Sequence, residues 1–116
     1  MAQVVLVGKE RNTRALLRAQ LIEEGLEVEA YESIEDALKA LLPSLPALLL
    51  VDLTASNDPG ADLHDLANWV ARVPTWIIAS RSSPVGADLE ERGFDRVFFR
   101  PVDVGEVVGL IKQRLQ

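Results

Sequence analysis

The spacing of apolar residues alternates between two periods along the whole chain, and this alternation constrains the fold more than any other feature. Short apolar runs such as "QVVLVG" and "ALLLVDL" are typical of buried β-strands. Each run is followed by a stretch in which apolar residues recur every three or four positions, and the pair occurs five times. Strict alternation of strands and helices predicts a parallel sheet covered by helices on both faces.

Local signals predict where the first helix begins and ends. Asn12 or Thr13 is expected to cap it, and Gly25 is expected to stop it. Its apolar face is predicted to carry Leu16, Leu17 and Leu21. The segment that follows, "LEVEAY", alternates apolar and acidic residues, which is typical of a strand near a sheet edge with one wet face.

The later helices have similar boundary signals. Ser33 with Asp36 is expected to cap the second helix, and Asp103 with Glu106 the last one. Three more apolar patterns predict a third helix carrying Leu63, Leu66 and Val70, a short helix from about Pro84 to Arg92 that Gly93 stops, and a closing helix carrying Val107, Leu110, Ile111 and Leu115.

Composition limits the class of protein. A chain of 116 residues that is 48% hydrophobic fits one domain, over residues 1–116, with any output domain absent from this chain. The chain has no cysteine, one histidine and a net charge of −6, so we expect no thiolate site, no multi-histidine metal site and no direct binding to nucleic acid or anionic membranes. No apolar run approaches the roughly 20 residues that span a bilayer, which predicts a cytoplasmic protein.

The residues that follow each strand are the candidate site residues, because ligands of such sheets bind beyond the carboxyl ends of the strands. Among them Asp52 stands out, since an apolar strand that ends on a carboxylate needs a partner for a half-buried charge. The full set is Gly8, Lys9, Glu10, Asp52, Ala79, Ser80, Arg100 and Pro101.

Four segments, "LIEEGLEVEAYESIEDALKAL", "LLLVDL", "VPTWIIAS" and "RGFDRVFFRPVD", resemble in order and spacing the receiver domain of two-component response regulators. The resemblance covers the whole chain and implies a flavodoxin-like (CheY-like) fold in three layers, with sheet order 2-1-3-4-5. It implies that Asp52 stands at the phosphoacceptor position. It also implies that Arg100 and Pro101 stand where the family has a phosphate-contacting lysine before a proline, with a bond that can be cis.

The metal site that the resemblance implies is degraded in this sequence. Gly8 and Lys9 occupy the positions of the family's acid pair, which leaves Glu10 and Asp52 as candidate metal ligands. Because Mg²⁺ requires several oxygen ligands and Lys9 adds a positive charge, we expect weak Mg²⁺ binding and no firmly bound cofactor.

The positions that relay the family's signal are also altered. Ala79 stands at the hydroxyl position, with Ser80 one residue later, and Val97 replaces the family's switch aromatic. Ser80, Ser82 and Ser83 could supply a hydroxyl to the site or could simply form the turn. The chain therefore resembles a degenerate, atypical receiver (a pseudo-receiver).

Three residues, Asp52 and its expected neighbours Glu10 and Arg100, each have two possible roles. Asp52 could be a phosphoacceptor, or a structural carboxylate satisfied by Lys9, Arg100 or backbone amides. Glu10 could be a metal ligand or a solvated acid in the first helical turn. Arg100 could hold a phosphate or clamp a carboxylate with its planar guanidinium group. Outside this cluster, His64 is expected at the surface, and Trp69 and Trp76 in the packing.

Two classes of function follow. The first is a phosphorelay signalling module, not an enzyme, whose partner is a histidine kinase, a phosphotransfer protein or an output protein. The second is a small flavodoxin-like domain that binds a ligand or cofactor in the same crevice, but Lys9 and Glu10 do not form the phosphate loop it would need. We favour the first.

An interaction face is expected beside the fifth strand. The resemblance implies contacts through the 84–92 helix, the fifth strand and the closing helix, where Phe98, Phe99 and Val102 lie. Alternation places Phe98 on the opposite side of the sheet from Val97 and Phe99. We expect weak homodimers through this face.

Overall fold

The computed structural model describes residues 2–81, 89 and 92–116. Its strands form one parallel sheet in the order β2-β1-β3-β4-β5, which confirms the predicted fold. The strands are β1 (Val4–Gly8), β2 (Val28–Tyr31), β3 (Leu48–Asp52), β4 (Thr75–Ala79) and β5 (Arg96–Phe99). The helices in the described part are α1 (Arg11–Glu23), α2 (Ile34–Leu41), α3 (Pro59–Leu66) and α4 (Val104–Leu115). Most of the predicted helix from about Pro84 to Arg92 lies outside the described residues.

Side chains of each strand alternate between two apolar clusters, one on each face of the sheet. Val5 and Val7 of β1 point into the cluster that α2 and α3 cover, and Val4 and Leu6 point into the cluster that α1 and α4 cover. Strands β1, β3 and β4 are buried at every position, while the edge strands β2 and β5 are only partly buried. Burial on both faces explains why the central strands are continuous apolar runs.

The first helix differs from the prediction in its cap and its buried face. Glu10, not Asn12 or Thr13, is the N-cap, and its carboxylate accepts hydrogen bonds from the backbone N–H groups of those two residues. Leu17 and Leu21 are buried, but Leu16 is 49% exposed, so the prediction for Leu16 was wrong. Successive residues are about 100° apart around a helix, so a narrow buried stripe that includes Leu17 leaves its neighbour outside.

The other boundary predictions mostly hold. Ser33 and Asp103 cap α2 and α4 by accepting from the backbone N–H groups of Asp36 and Glu106. Gly25, just after α1, has a φ angle of +84°, a region that glycine adopts without strain. Gly93 has a φ angle of +97°, but its predicted role as a helix stop stays untested because most of that helix lies outside the described residues. The third helix is shorter than predicted and ends before Val70, which is half-buried beyond it.

Residues expected to have no role in chemistry lie where they were predicted. His64 is exposed on α3, Trp76 is buried in β4, and Trp69 packs against the α2–α3 cluster. No helix in the described ranges is long and apolar enough to cross a bilayer.

Candidate functional site

Asp52 is the last residue of β3, and both of its carboxylate oxygens are held by groups of the chain itself. Its side chain is only 2% exposed. Oδ1 accepts hydrogen bonds from the backbone N–H of Thr54 at 3.0 Å and from the Thr54 hydroxyl at 2.6 Å. Oδ2 accepts from Nη2 of Arg100 at 2.8 Å in an ion pair. The charge of this buried carboxylate is therefore compensated within the protein.

Arg100 follows β5, and its guanidinium group joins three segments at the carboxyl ends of the strands. Nη2 donates to the hydroxyl of Thr13 at 2.9 Å as well as to Asp52, and Nε donates to the hydroxyl of Thr54. The backbone N–H of Arg100 donates to the carbonyl of Ala79, and the bond from Arg100 to Pro101 is cis. In the structure, Arg100 contacts the Asp52 carboxylate through one nitrogen, and a phosphate-holding role stays a prediction.

Glu10 extends the same network through Thr13. Its Oε2 accepts from the backbone N–H of Thr13 at 2.6 Å, and its Oε1 accepts from that of Asn12 at 3.2 Å. Hydrogen bonds from the Thr13 side chain and backbone lower the pKa of Glu10 below its ordinary value of 4.5, and Asn12 and the charge of Arg100 add smaller effects in the same direction. The carboxylate serves as the cap of α1.

Gly8 and Lys9 stand where the family resemblance implies an acid pair, and neither side chain can serve as an oxygen ligand. Gly8 is paired in register with Asp52, and a Cβ atom at Gly8 would lie 3.1 Å from the Cβ of Asp52. Lys9 is exposed and forms no ion pair among the residues described, so the predicted partner role of Lys9 toward Asp52 falls to Arg100.

Arg14 lies on the other side of Gly8. Its Nη1 donates to the carbonyl of Gly8 at 2.5 Å, and its Nη2 is 3.4 Å from Oε1 of Glu32. The Arg14 side chain is 16% exposed, although it comes from the first turns of α1, where a cation is not favoured by the helix dipole. Arg14 thus holds the end of β1 beside Asp52.

The Mg²⁺ ion that the fold family implies does not fit these residues. Mg²⁺ needs near-octahedral oxygen ligands and is usually held by carboxylates. In the part of the chain that the structure describes, no group of three acidic, histidine or cysteine residues could hold a metal ion. Oδ2 of Asp52 is already bound by Arg100, and Glu10 caps α1. The donor set is that of an internal ion pair.

The relay positions lie in the sheet as predicted but are apolar. Ala79 ends β4, is fully buried and is paired with Phe99, while Val97 is paired with Ile77 and packs against the α2–α3 cluster. Ser80 follows Ala79 and is half-buried. Ser82 and Ser83 lie outside the described residues.

The expected interaction face is partly covered by the domain itself. Phe98 and Val102 pack against the α1–α4 cluster, and the Phe98 ring is 5.8 Å from that of Trp76 at 55°. Phe99 packs against the opposite cluster and also lies under the guanidinium of Arg81. The predicted alternation of Phe98 against Val97 and Phe99 is confirmed, and the homodimer stays a prediction.

A cavity of about 220 Å³ opens beside Asp52 on the side of α2 and α3. Its rim is acidic, because it includes Glu32, Glu35, Asp62 and Asp65, with Lys9 as the cation among them. A phosphate-bearing cofactor would meet repulsion there. This charge disfavours the alternative function of a flavodoxin-like cofactor domain.

Thr13, Thr54 and Arg14 are site residues that the sequence interpretation missed. Thr54 had a recognisable signal, because an aspartate often accepts from the backbone N–H two residues later. Arg14 had a weaker signal: the helix dipole disfavours a cation near a helix N-terminus, so an arginine there suggests a specific contact. Thr13 had none, because its contact with Arg100 joins residues that are 87 positions apart.

One curated protein resembles this chain in sequence over its whole length. No known family profile matches the chain. The chain is 29% identical over 119 residues to the KDP operon transcriptional regulatory protein KdpE of Escherichia coli (strain K12), a match that covers 100% of this chain and 52% of KdpE. It therefore spans about half the length of that curated relative.

Solved structures share the fold of this chain. The signal receiver domain of a putative Luxo repressor protein from Vibrio parahaemolyticus has a TM-score of 0.79 and 17% identity, covering 98% of this chain and 89% of that one. A response regulator receiver domain protein (CheY-like) from Methanospirillum hungatei JF-1 has a TM-score of 0.77 and 18% identity, covering 99% and 94%. The fold is thus the CheY-like receiver fold. The sequence match is to a transcriptional regulatory protein, and the solved structures are receiver domains.

Proposed function

We propose that this chain is a receiver-type signalling module that acts through protein–protein contacts and accepts phosphate at Asp52 poorly or not at all. The single observation that carries the proposal is the engagement of both Asp52 oxygens, Oδ1 by Thr54 and Oδ2 by Arg100. A phosphoacceptor must offer an oxygen lone pair to phosphorus. Here Oδ1 already accepts from two donors, and the positive charge of Arg100 beside Oδ2 makes that oxygen a weaker nucleophile.

Charge neutralisation also supports a weak acceptor. Phosphoryl transfer depends on positioning and on compensation of negative charge on the transferring group. The positive charge of Arg100 is directed at Asp52 itself, and the acid pair that would hold a metal is replaced by Gly8 and Lys9. Without that metal, an incoming phosphodonor has little to neutralise it beside Asp52.

The relay positions support a constant shape. Ala79 has no hydroxyl to contact a modified Asp52, and Val97 lacks the aromatic ring that the family resemblance implies for the relay. The module is therefore proposed to present the same surface to its partner with or without a phosphodonor. A histidine kinase, a phosphotransfer protein or an output protein is the proposed partner. This proposed role is signalling, not enzymatic.

Intact-mass spectrometry after incubation with acetyl phosphate and Mg²⁺ tests the proposal. We expect no stoichiometric addition of a phosphoryl group to the unaltered chain. Asp52→Asn is the matched control, since it keeps the size of the side chain and removes the acceptor. Mg²⁺-dependent addition of one phosphoryl group that is lost in Asp52→Asn would contradict the proposal.

A further inference from the structure

Arg100 is the structural centre of the carboxyl ends of the strands. Its guanidinium contacts Thr13 in α1, Asp52 at the end of β3 and Thr54 in the loop that follows β3. We propose that this guanidinium is a built-in cation that takes the place of a divalent ion, so that the site needs no metal and excludes one. The inference rests on the proposed function, because both treat Asp52 as an internally paired carboxylate.

The chemistry of arginine suits a permanent cation. A guanidinium group keeps its charge at every accessible pH and offers donors in a fixed planar arrangement. In this chain Nη2 donates to the Asp52 carboxylate and the Thr13 hydroxyl, and Nε donates to the Thr54 hydroxyl. Thr13 lies far from the other two residues in sequence. A carboxylate with 2% exposure would be strongly destabilising without such a partner.

Competition with Arg100 for Asp52 is the reason that a metal is excluded. A divalent ion would compete with Arg100 for Oδ2 of Asp52. An aspartate at Gly8 would require Asp52 to shift by a few tenths of an ångström, because the new Cβ atom would lie 3.1 Å from the Cβ of Asp52. An aspartate at Lys9 meets no such obstacle, since Lys9 is exposed and lines the cavity beside Asp52.

The inference therefore states which substitutions open the site. Lys9→Asp alone should not create metal binding, because Arg100 still holds Asp52. Lys9→Asp with Arg100→Lys should create it, because an ammonium group is a single compact charge that cannot contact Thr13, Thr54 and Asp52 in the way a guanidinium does. Gly8 stays unchanged in both variants.

Thermal unfolding of the whole chain in MgCl₂, compared with EDTA plus NaCl at equal ionic strength, tests the inference. The unaltered chain and Lys9→Asp should have the same midpoint in both buffers. Lys9→Asp with Arg100→Lys should gain several degrees in MgCl₂, because a ligand that binds only the folded state raises the midpoint. The matched control is Lys9→Asp with Arg96→Lys, which makes the same change on β5 at a residue that stacks on Trp76.

Two results would overturn the inference. The first is a Mg²⁺-specific rise in the midpoint of the unaltered chain. The second is a folded Lys9→Asp with Arg100→Lys variant that gives no heat on calorimetric titration with MgCl₂. If that variant does not fold, Arg100→Gln supplies the test. Removal of the charge should lower the thermal unfolding midpoint by several degrees. An unchanged midpoint would also overturn the inference.

The same reagents separate this inference from the proposed function. Phosphoryl addition to Asp52 of the unaltered chain in EDTA would contradict the proposed function and leave the built-in cation standing. Mg²⁺ binding without phosphoryl addition would contradict the built-in cation alone. Phosphoryl addition that requires Mg²⁺ would contradict both.

Discussion

Two ion pairs of this molecule have the same N–O separation, 2.8 Å, in opposite surroundings. Arg100 and Asp52 meet at the carboxyl ends of the strands, where the side chains are 27% and 2% exposed. Lys112 of α4 and Glu24, just after α1, meet on the surface, where the side chains are 46% and 41% exposed. Distance alone therefore says little, because the cost of losing a partner depends on whether water can replace it.

The two regions also differ in connectivity. The Arg100 guanidinium is tied to two hydroxyls as well as to the carboxylate, and one of these, Thr54, also donates to Asp52. Within the part of the chain that the structure describes, the Lys112 ammonium donates one hydrogen bond, to Glu24. We infer that the first pair organises a site, whereas the second joins two helices that already pack together.

The largest expected effect comes from removal of the buried cation. Arg100→Met should lower the free energy of unfolding by about 3 kcal/mol at pH 7, because Asp52 is left as an uncompensated buried charge. Urea denaturation of the variant beside the unaltered chain measures it. Arg96→Met, at the arginine that begins β5, is the control and should cost less than about 1 kcal/mol. Equal losses in the two variants would remove the distinction between the two regions.

The next effect concerns the hydroxyl that joins Asp52 to Arg100. Thr54→Val keeps the shape of the side chain but removes a donor to Oδ1 and an acceptor for Nε, and should cost about 1–2 kcal/mol. Thr54→Ser keeps the hydroxyl and should recover most of that loss. If Thr54→Ser is as unstable as Thr54→Val in urea denaturation, the hydroxyl is not what matters at this position.

The fold was predictable because its signals are local and repeated. Buried parallel strands require continuous apolar runs, and the segments that become β1, β3 and β4 have them. The helix caps at Ser33 and Asp103 were predictable for the same reason, since each acts within three residues. Leu16 was misplaced because a helical period defines a stripe only to within one residue.

The position of Asp52 at the end of a buried strand was predictable, and its full set of contacts was not. Asp52 could be singled out because a carboxylate at the end of an apolar strand is unusual, and Arg100 could be aligned with it through the family resemblance. The sequence left open whether Lys9 or Arg100 pairs with Asp52. The register of the strands places the two backbones but does not determine where a long side chain points. The contact of Thr13 with Arg100 could not be predicted, because the sequence around Thr13 carries no signal of a partner 87 positions away.

A smaller effect on stability is expected from Glu10, at the edge of the same hydrogen-bond network, and this effect depends on pH. The pKa of Glu10 is lowered by its hydrogen bonds to Thr13, so the unfolded chain binds more protons there at acidic pH. The stability that Glu10 contributes should be complete above its ordinary pKa of 4.5 and should be lost as the pH falls through the lower value in the folded chain. We expect Glu10→Gln to be less stable than the unaltered chain at pH 7, with the difference shrinking below pH 4.5.

Urea denaturation across that pH range checks the prediction for Glu10. Glu23→Gln, a change of the same type at the other end of α1, is the control and should show no comparable narrowing. A difference between Glu10→Gln and the unaltered chain that grows as the pH falls would reverse the expected sign.

The smallest effect is expected at the surface pair, and it sharpens the comparison most directly. Lys112→Met and Glu24→Gln each remove one partner of a pair that water can solvate, so a double-mutant cycle should give a coupling of about 0.2–1 kcal/mol, which falls as salt is added. The same cycle with Arg100→Met and Asp52→Asn should give a larger coupling that salt changes little, because Asp52 is shielded from solvent. Equal couplings would mean that a common N–O distance, and not burial, sets the strength of both pairs.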